Sequence, residues 1–178
     1  MPGHEEDFSW ALVAIQDISA RKKAEEYLRY LGTHDVMTGL HNRAFFEEQV
    51  LKLADSDDSI SFIMADLDGL KQANDTLGHQ AGDNLIRRAA EVLKAAFDQD
   101  EIVARIGGDE FVAILHNQPA PQEVIERIHS LILLNNKYYQ GPQLRLALGA
   151  ATHKKNETLE KTLIRADEDM YIDKANHY

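Results

Sequence analysis

The sequence predicts an α/β (α+β) domain: a mixed, mostly antiparallel central sheet flanked by helices, preceded by a separate N-terminal helix. Three observations carry this. Short apolar strand-like runs alternate with amphipathic stretches long enough to be helices. Two runs, Ile102-Val103-Ala104 and Val112-Ala113-Ile114-Leu115, flank a Gly-Gly pair and read as a β-hairpin, so at least that pair is antiparallel. The 178 residues, 44% of them apolar, suffice for one core and an appendage.

Taken in order, residues 8–19, FSWALVAIQDIS, have strand character. Residues 20–32 read as a helix in which Ala20, Ala24, Tyr27 and Leu31 form a short seam. Isolated helices below about 12–15 residues are marginal in water, so this one needs a partner. Asn42 is placed to cap a helix over RAFFEEQVLKLAD, with Phe45, Phe46, Val50, Leu51 and Leu53 expected towards a core. SISFIMADLD is a buried strand ending in acids, and GLKQANDTLGHQ a short helix and loop. AGDNLIRRAAEVLKAAF follows as a long helix with Leu85, Ile86, Ala89, Val92, Leu93 and Ala96 on one side. After the hairpin come a helix starting near Pro121, the strand QLRLALGAAT and a closing helix over ETLEKTLIRADEDMYIDKA.

The charge balance narrows the function classes. Thirty acids against 19 bases give −11 with histidine neutral, which disfavours non-specific binding to nucleic acid or to an anionic membrane surface. Cysteine is absent, so no disulfide framework and no thiolate zinc site can form. That suits a reducing compartment, and a cytoplasmic location is expected. No run of about 18 apolar residues and no signal-peptide pattern appears, so neither membrane contact nor export of this chain is expected.

The chemistry is expected around RIGGDEF, residues 105–111. A two-residue Gly-Gly turn needs φ > 0 at both positions, which glycine reaches without strain. Asp109 and Glu110 would then open the second strand and point to opposite faces. Alone, the heptapeptide reads equally well as a solvated hairpin tip. Asp66, however, ends the apolar run 62–65. If the two strands are neighbours, their acidic ends meet at one edge of the sheet. One carboxylate must then take a proton unless a cation lies between them, and Mg²⁺ with oxygen ligands and substrate phosphates would resolve the conflict. A calcium loop over residues 66–77 is the rival, and it fails because Leu77 stands where that loop needs glutamate. Strand-borne acids with metal ions suit phosphoryl or nucleotidyl transfer. Neither a Walker A loop nor a dinucleotide fingerprint is present, so a phosphate-gripping lysine must come from elsewhere. Lys71 and Lys174 are the candidates, although each alone reads more readily as a solvated surface lysine.

These stretches resemble the GGDEF family of diguanylate cyclases. DVMTGLHNR (35–43) is similar to its D-x-L-T-G-L-x-N-R motif, with Met37 in the leucine place. DLDGLKQANDTLGHQAGDNLI (66–86) is similar to its D-x-D-x-F-K-x-x-N-D-x-x-G-H-x-x-G-D block, with Leu70 for the usual aromatic. RIGGDEF carries the name motif unchanged, and ADEDMYIDK (166–174) resembles the closing A-D-x-A-x-Y-x-A-K. The four motifs cover about residues 33–176 in order.

The resemblance implies a palm-like nucleotidyl-cyclase fold and a homodimer that condenses two GTP molecules into cyclic di-GMP. Carried over by position, Asp66, the Leu67 carbonyl and Asp109 would hold two Mg²⁺ ions, with Mn²⁺ as a substitute. Asp109, or Glu110, would help deprotonate the 3′-hydroxyl. Asn74 and Asp83 would read the guanine edge, which suits an amide that donates and accepts and a carboxylate that accepts from N1–H and N2–H. His79 would line the nucleoside site or simply order its loop. Lys71 and Lys174 would meet phosphates, and Gly107 and Gly108 would let the hairpin backbone approach the nucleotide. The alternative is a degenerate module that binds GTP or cyclic di-GMP and regulates an attached domain.

Two departures stand out. Tyr178 occupies the place of an arginine that often follows the closing lysine, and the family's feedback motif R-x-x-D falls on DQDE (98–101), without its arginine. The stretch WALVAIQDISARKKAEEYLRYLG resembles the last strand and exit helix of a PAS sensor domain. The expected organisation is therefore a PAS remnant over 1–19, a signalling helix over 20–32 and a catalytic domain over 33–178, as a piece of a longer sensor protein.

Overall fold

The computed structural model describes residues 17–54, 56, 59–98, 100–116 and 120–176. The chain runs α1 (Ser19–Thr33), β1 (His41–Asn42), α2 (Arg43–Leu53), β2 (Ile60–Leu67), α3 (Leu70–Leu77), α4 (His79–Ala96), β3 (Ile102–Arg105), β4 (Glu110–His116), α5 (Pro121–Tyr138), β5 (Leu146–Thr152) and α6 (Leu159–Asn176). The five strands form one sheet in the order β1-β3-β4-β2-β5. Only β1 runs parallel to its neighbour, so the sheet is mixed and mostly antiparallel as expected.

All eight residues of β2 are buried because both sheet faces are covered. Ile63, Ala65 and Leu67 share one core with Leu85, Ala89 and Leu93 of α4 and Val124 and Ile128 of α5. Ile60, Phe62 and Met64 belong to the other, with Phe46 of α2 and Ala166 and Met170 of α6. Each fully buried Leu, Ile or Phe side chain contributes about 1.5–3 kcal/mol of hydrophobic stabilisation. The six positions predicted for the buried face of α4 are all buried. Arg88 on the same helix is also buried, and its guanidinium donates to Asn135 Oδ1, Asn136 Oδ1 and the Pro142 carbonyl at 2.7–2.9 Å. Those bonds tie α4 to the end of α5 and supply the partners that a buried cation requires.

Two layers approach closely at Gly149. An ideal Cβ there would stand 2.0 Å from Met170 N and 2.4 Å from the Ala166 carbonyl, so α6 rests directly on the β5 backbone. On either side, α6 carboxylates accept from β5 amides: Leu148 N–H to Asp173 Oδ2 and Ala150 N–H to Asp169 Oδ2, both 2.9 Å. Edge-strand donors are thereby satisfied by side chains rather than by another strand.

Several expectations change. Asn42 does cap α2, accepting from Phe45 N–H at 2.9 Å, but Leu51 is 71% exposed rather than core-facing. The helix meets the sheet along one edge through Phe46, with Val50 and Leu53 beside it, and Leu51 lies away from that edge. Phe45 stacks on His41 instead, with ring centroids 3.8 Å apart. Among the described residues of α1 no side chain is fully buried: Tyr27 of the seam is 60% exposed, whereas Leu31 is half-buried and its carbonyl accepts from Asn42 Nδ2 at 3.4 Å. The strand expected over 8–19 falls on residues 8–16, outside the described residues, and on Asp17, Ile18 and Ser19, where α1 begins.

The hairpin also differs from a two-residue turn. Its ladder ends at the Arg105–Phe111 pair, with residues 106–110 forming the connection. Neither Gly107 nor Gly108 has positive φ. The wider loop is closed by Ile106 N–H and Gly107 N–H donating to the Glu110 carbonyl, at 3.0 and 3.3 Å. Arg105 gathers the loop from outside, donating to the carbonyls of Gly107 (3.1 Å) and Gly108 (2.8 Å) and to Asp35 Oδ1 (3.2 Å). At Gly107 an ideal Cβ would lie 2.3 Å from Glu110 Oε2, the flexible end of an exposed side chain that can move aside.

Candidate functional site

β2 and β4 are neighbours, and their register sets Asp66 opposite Glu110. The Leu67 amide donates to the Asp109 carbonyl at 2.9 Å, which fastens the tip of the hairpin to the end of β2. Beyond Leu67 the chain turns through Asp68 and Gly69, whose φ of 71° is a left-handed conformation that favours glycine, and enters α3. A cavity of about 490 Å³ opens at this end of the sheet, with Leu67, Asp68, Lys71, Asp75, Asp109 and Lys174 among its lining residues. Strand end, hairpin, α3 and the last turn of α6 thus meet around one space.

Asp66 is only 7% exposed, and its Oδ1 accepts from Lys174 Nζ at 2.7 Å. Burial pushes the Asp66 carboxyl above its ordinary range, the Lys174 bond opposes this, and the negative charges of Asp109 and Asp68 push it further up. The Asp66 bond raises Lys174 in turn, against a smaller effect of burial. Among the described residues no three acidic or histidine groups come close enough to hold an ion between them. The donors at this edge, carboxylates and backbone carbonyls, are the hard oxygen ligands that Mg²⁺ and Mn²⁺ take, and the repelling acids around Asp66 call for a cation. The residues therefore fit a divalent ion on the chemistry of the donor set.

Of the residues singled out in the sequence, Leu67, Asp109, Lys71 and Lys174 line this cavity, with Asp66 bonded to Lys174 at its edge. Glu110 does not line it; its exposed side chain lies against Gly107. Gly108 has open space where a side chain would be. Asn74, His79 and Asp83 sit on the α3–α4 pair and do not line this cavity. Asn74 packs on Gly82, where an ideal Cβ would be 2.1 Å from its Oδ1. His79 is exposed at the first residue of α4, and Asp83 faces Arg87 at 3.9 Å.

Sequence reasoning passed over Asp68, 8% exposed and on the cavity wall, although two carboxylates two residues apart at a strand end were a readable signal. It also passed over the Asp35–Arg105 pair. There, burial pushes the Asp35 carboxyl up, but bonds from Thr38 and Arg105 outweigh it and hold the group below its ordinary range. That pair joins the segment after α1 to the hairpin, which is a supporting role.

The α+β domain thus gathers carboxylates and lysines at one end of its sheet. The chain belongs to the GGDEF family: the family pattern described as "Diguanylate cyclase, GGDEF domain" matches residues 32–178. Among curated relatives it is 36% identical over 151 residues to the "Probable diguanylate cyclase DgcJ" of Escherichia coli K12, covering 80% of this chain and 29% of that protein. It is 31% identical over 166 residues to "Diguanylate cyclase DgcM" of the same organism, covering 90% of this chain and 40% of that one. The chain thus spans less than half the length of these relatives. The coiled coil and GGDEF domain of DgcB from Caulobacter crescentus, solved in complex with c-di-GMP, shares the fold with a TM-score of 0.78 at 24% identity over 89% of both chains.

Proposed function

We propose that this domain is a diguanylate cyclase that condenses two GTP molecules into cyclic di-GMP, releasing two pyrophosphates, and that it works as a homodimer in the cytoplasm. The observation that carries the reading is the convergence of Asp66, Asp109, Lys71 and Lys174 at one end of the sheet. Asp66, Asp109 and the Leu67 carbonyl would hold two Mg²⁺ ions. When bound, such ions lower the pKa of an attacking hydroxyl and offset charge at phosphorus.

The remaining chemistry belongs to the chain. Asp109, with Glu110 beside it, takes the proton of the 3′-hydroxyl of one GTP. The 3′-oxygen then attacks the α-phosphorus of the other, and the bond to pyrophosphate breaks. The same exchange in the opposite sense closes the ring. Lys71 and Lys174 compensate charge on the phosphates. Gly107 and Gly108 admit the nucleotide to the hairpin backbone. Asn74 and Asp83 read the guanine edge, with His79 lining the nucleoside site. One chain supplies one set of these groups while the product is two-fold symmetric, so two domains facing each other across a two-fold axis are the simplest arrangement.

Incubation with GTP and Mg²⁺ followed by chromatography of the nucleotides tests the reading. Cyclic di-GMP and pyrophosphate are the expected products. GTP left unconverted by a sample shown to be dimeric would overturn it and favour a module that only binds nucleotide.

A further inference from the structure

We propose that Lys174 is a built-in counter-cation that competes with the divalent metal for Asp66, so that metal and nucleoside triphosphate load cooperatively. The metal takes Asp66, and the phosphates take the displaced ammonium. The inference rests on the metal and phosphate reading above, and it goes further by giving Lys174 two alternating partners.

The geometry supports this in three ways. First, Lys174 Nζ lies 2.7 Å from Asp66 Oδ1, and the Asp66 side chain is 10% exposed. A dication on that carboxylate and an ammonium at hydrogen-bond distance repel each other, so both cannot keep the same oxygen. Second, the Lys174 side chain is 32% exposed and forms part of the cavity wall together with Lys71 and Asp109. The displaced ammonium therefore has an open space beside it, on the side where a second lysine already stands. Third, Lys174 sits in the last turn of α6, beyond the packed residues Ala166 and Met170. Its flexible four-carbon stem can swing while the helix stays seated. The acids around Asp66 explain why a counter-cation is built in: a buried carboxylate beside Asp109 and Asp68 needs a positive charge before the metal arrives.

Linkage makes the coupling reciprocal: phosphates that draw Lys174 away favour metal binding, and metal that expels it favours phosphate binding by the same factor. Mn²⁺ affinity measured by electron paramagnetic resonance of the free ion, without nucleotide and at about pH 8 so that carboxyls stay ionised, separates the roles. Lys174→Met should bind Mn²⁺ about tenfold or more tighter than the parent, because the competing charge is gone. Lys174→Arg, which keeps the charge, should stay close to the parent. Lys71→Met, which removes a lysine not bonded to Asp66, should change Mn²⁺ affinity less than Lys174→Met. A non-hydrolysable GTP analogue should bind more weakly to Lys174→Met, and Mn²⁺ should strengthen its binding by a smaller factor than in the parent. Lys174→Gln serves if the methionine variant does not fold. Equal or weaker Mn²⁺ binding by Lys174→Met, with the parent binding normally, overturns the competition and leaves the metal reading standing. Failure of every variant to bind Mn²⁺ overturns the metal reading and the competition together.

Discussion

Replacing Gly149 by alanine tests how tightly α6, and with it Lys174, is held to the sheet. The new Cβ would stand 2.0 Å from Met170 N, 2.4 Å from the Ala166 carbonyl and 2.6 Å from Met170 Cα. All three are backbone atoms, so no rotamer change relieves the clash. Ordinary contact begins at 3.4 Å, which obliges α6 to retreat by about 1.4 Å (3.4 less 2.0) or β5 to bow by as much. That movement stretches the two 2.9 Å bonds from Leu148 N–H to Asp173 and from Ala150 N–H to Asp169 beyond hydrogen-bond length. Overpacking a dense interface destabilises by about 1–3 kcal/mol. Each of the two lost hydrogen bonds adds roughly 0.5–1.5 kcal/mol, and about 4 kcal/mol in all is a central figure. For a domain of this size that corresponds to a fall in Tm of about 8–16 °C. Thermal unfolding followed by circular dichroism measures it. Gly108→Ala is the control, because open space surrounds its Cβ and its φ is not left-handed, and its Tm should match the parent. A Gly149→Ala protein that melts with the parent would show that the close seating of α6 on β5 is not a real constraint.

Other outcomes are expected. Asp109→Asn should fold like the parent and lose nearly all synthesis of cyclic di-GMP, because it removes a negative charge from a partly exposed edge rather than a core side chain; parent-like product formation would contradict its role. GTP should bind well ahead of ATP, since adenine offers Asp83 no N1–H or N2–H to accept; calorimetry showing equal affinities would end the guanine-reading role. Specific activity should climb with protein concentration, and a parallel coiled coil fused ahead of Ala20 should raise it further. Constant specific activity across dilution from a monomeric sample would refute catalysis between two chains. The Arg165 guanidinium, with Thr162 and the Lys154 amide, outweighs burial and holds the Glu157 carboxyl at about 2, below its ordinary 4.5. A lowered folded-state pKa stabilises above the unfolded value and loses that stabilisation as pH falls through the folded one. The parent should therefore lose Tm faster than Glu157→Gln as pH drops from 4.5 towards 2, and parallel profiles would refute the pairing.

By itself the sequence determined whatever rests on periodicity and local chemistry. The six apolar positions of α4 share one face because their spacing matches the helical repeat, and all six are buried. Asn42 caps α2 because its side chain reaches an amide only three residues on. The all-apolar run of β2 announced a strand covered on both faces, and the acid at its end was visible as a break in that run. Leu51 was misread because an apolar residue on a helix says nothing about how much of that helix meets a sheet, and α2 meets it only along one edge. The width of the hairpin was decided by Arg105, whose bonds to the Gly107 and Gly108 carbonyls hold a longer loop than the two glycines alone imply. Strand order, which brings Asp66 opposite Glu110, comes from burying two sheet faces at once rather than from any local signal. Lys174 reaches Asp66 across 108 positions of sequence for the same reason: the seating of α6 on β5 at Gly149 and on the Phe62 face of the sheet carries it there, and a contact of that range exists only once the layers have closed.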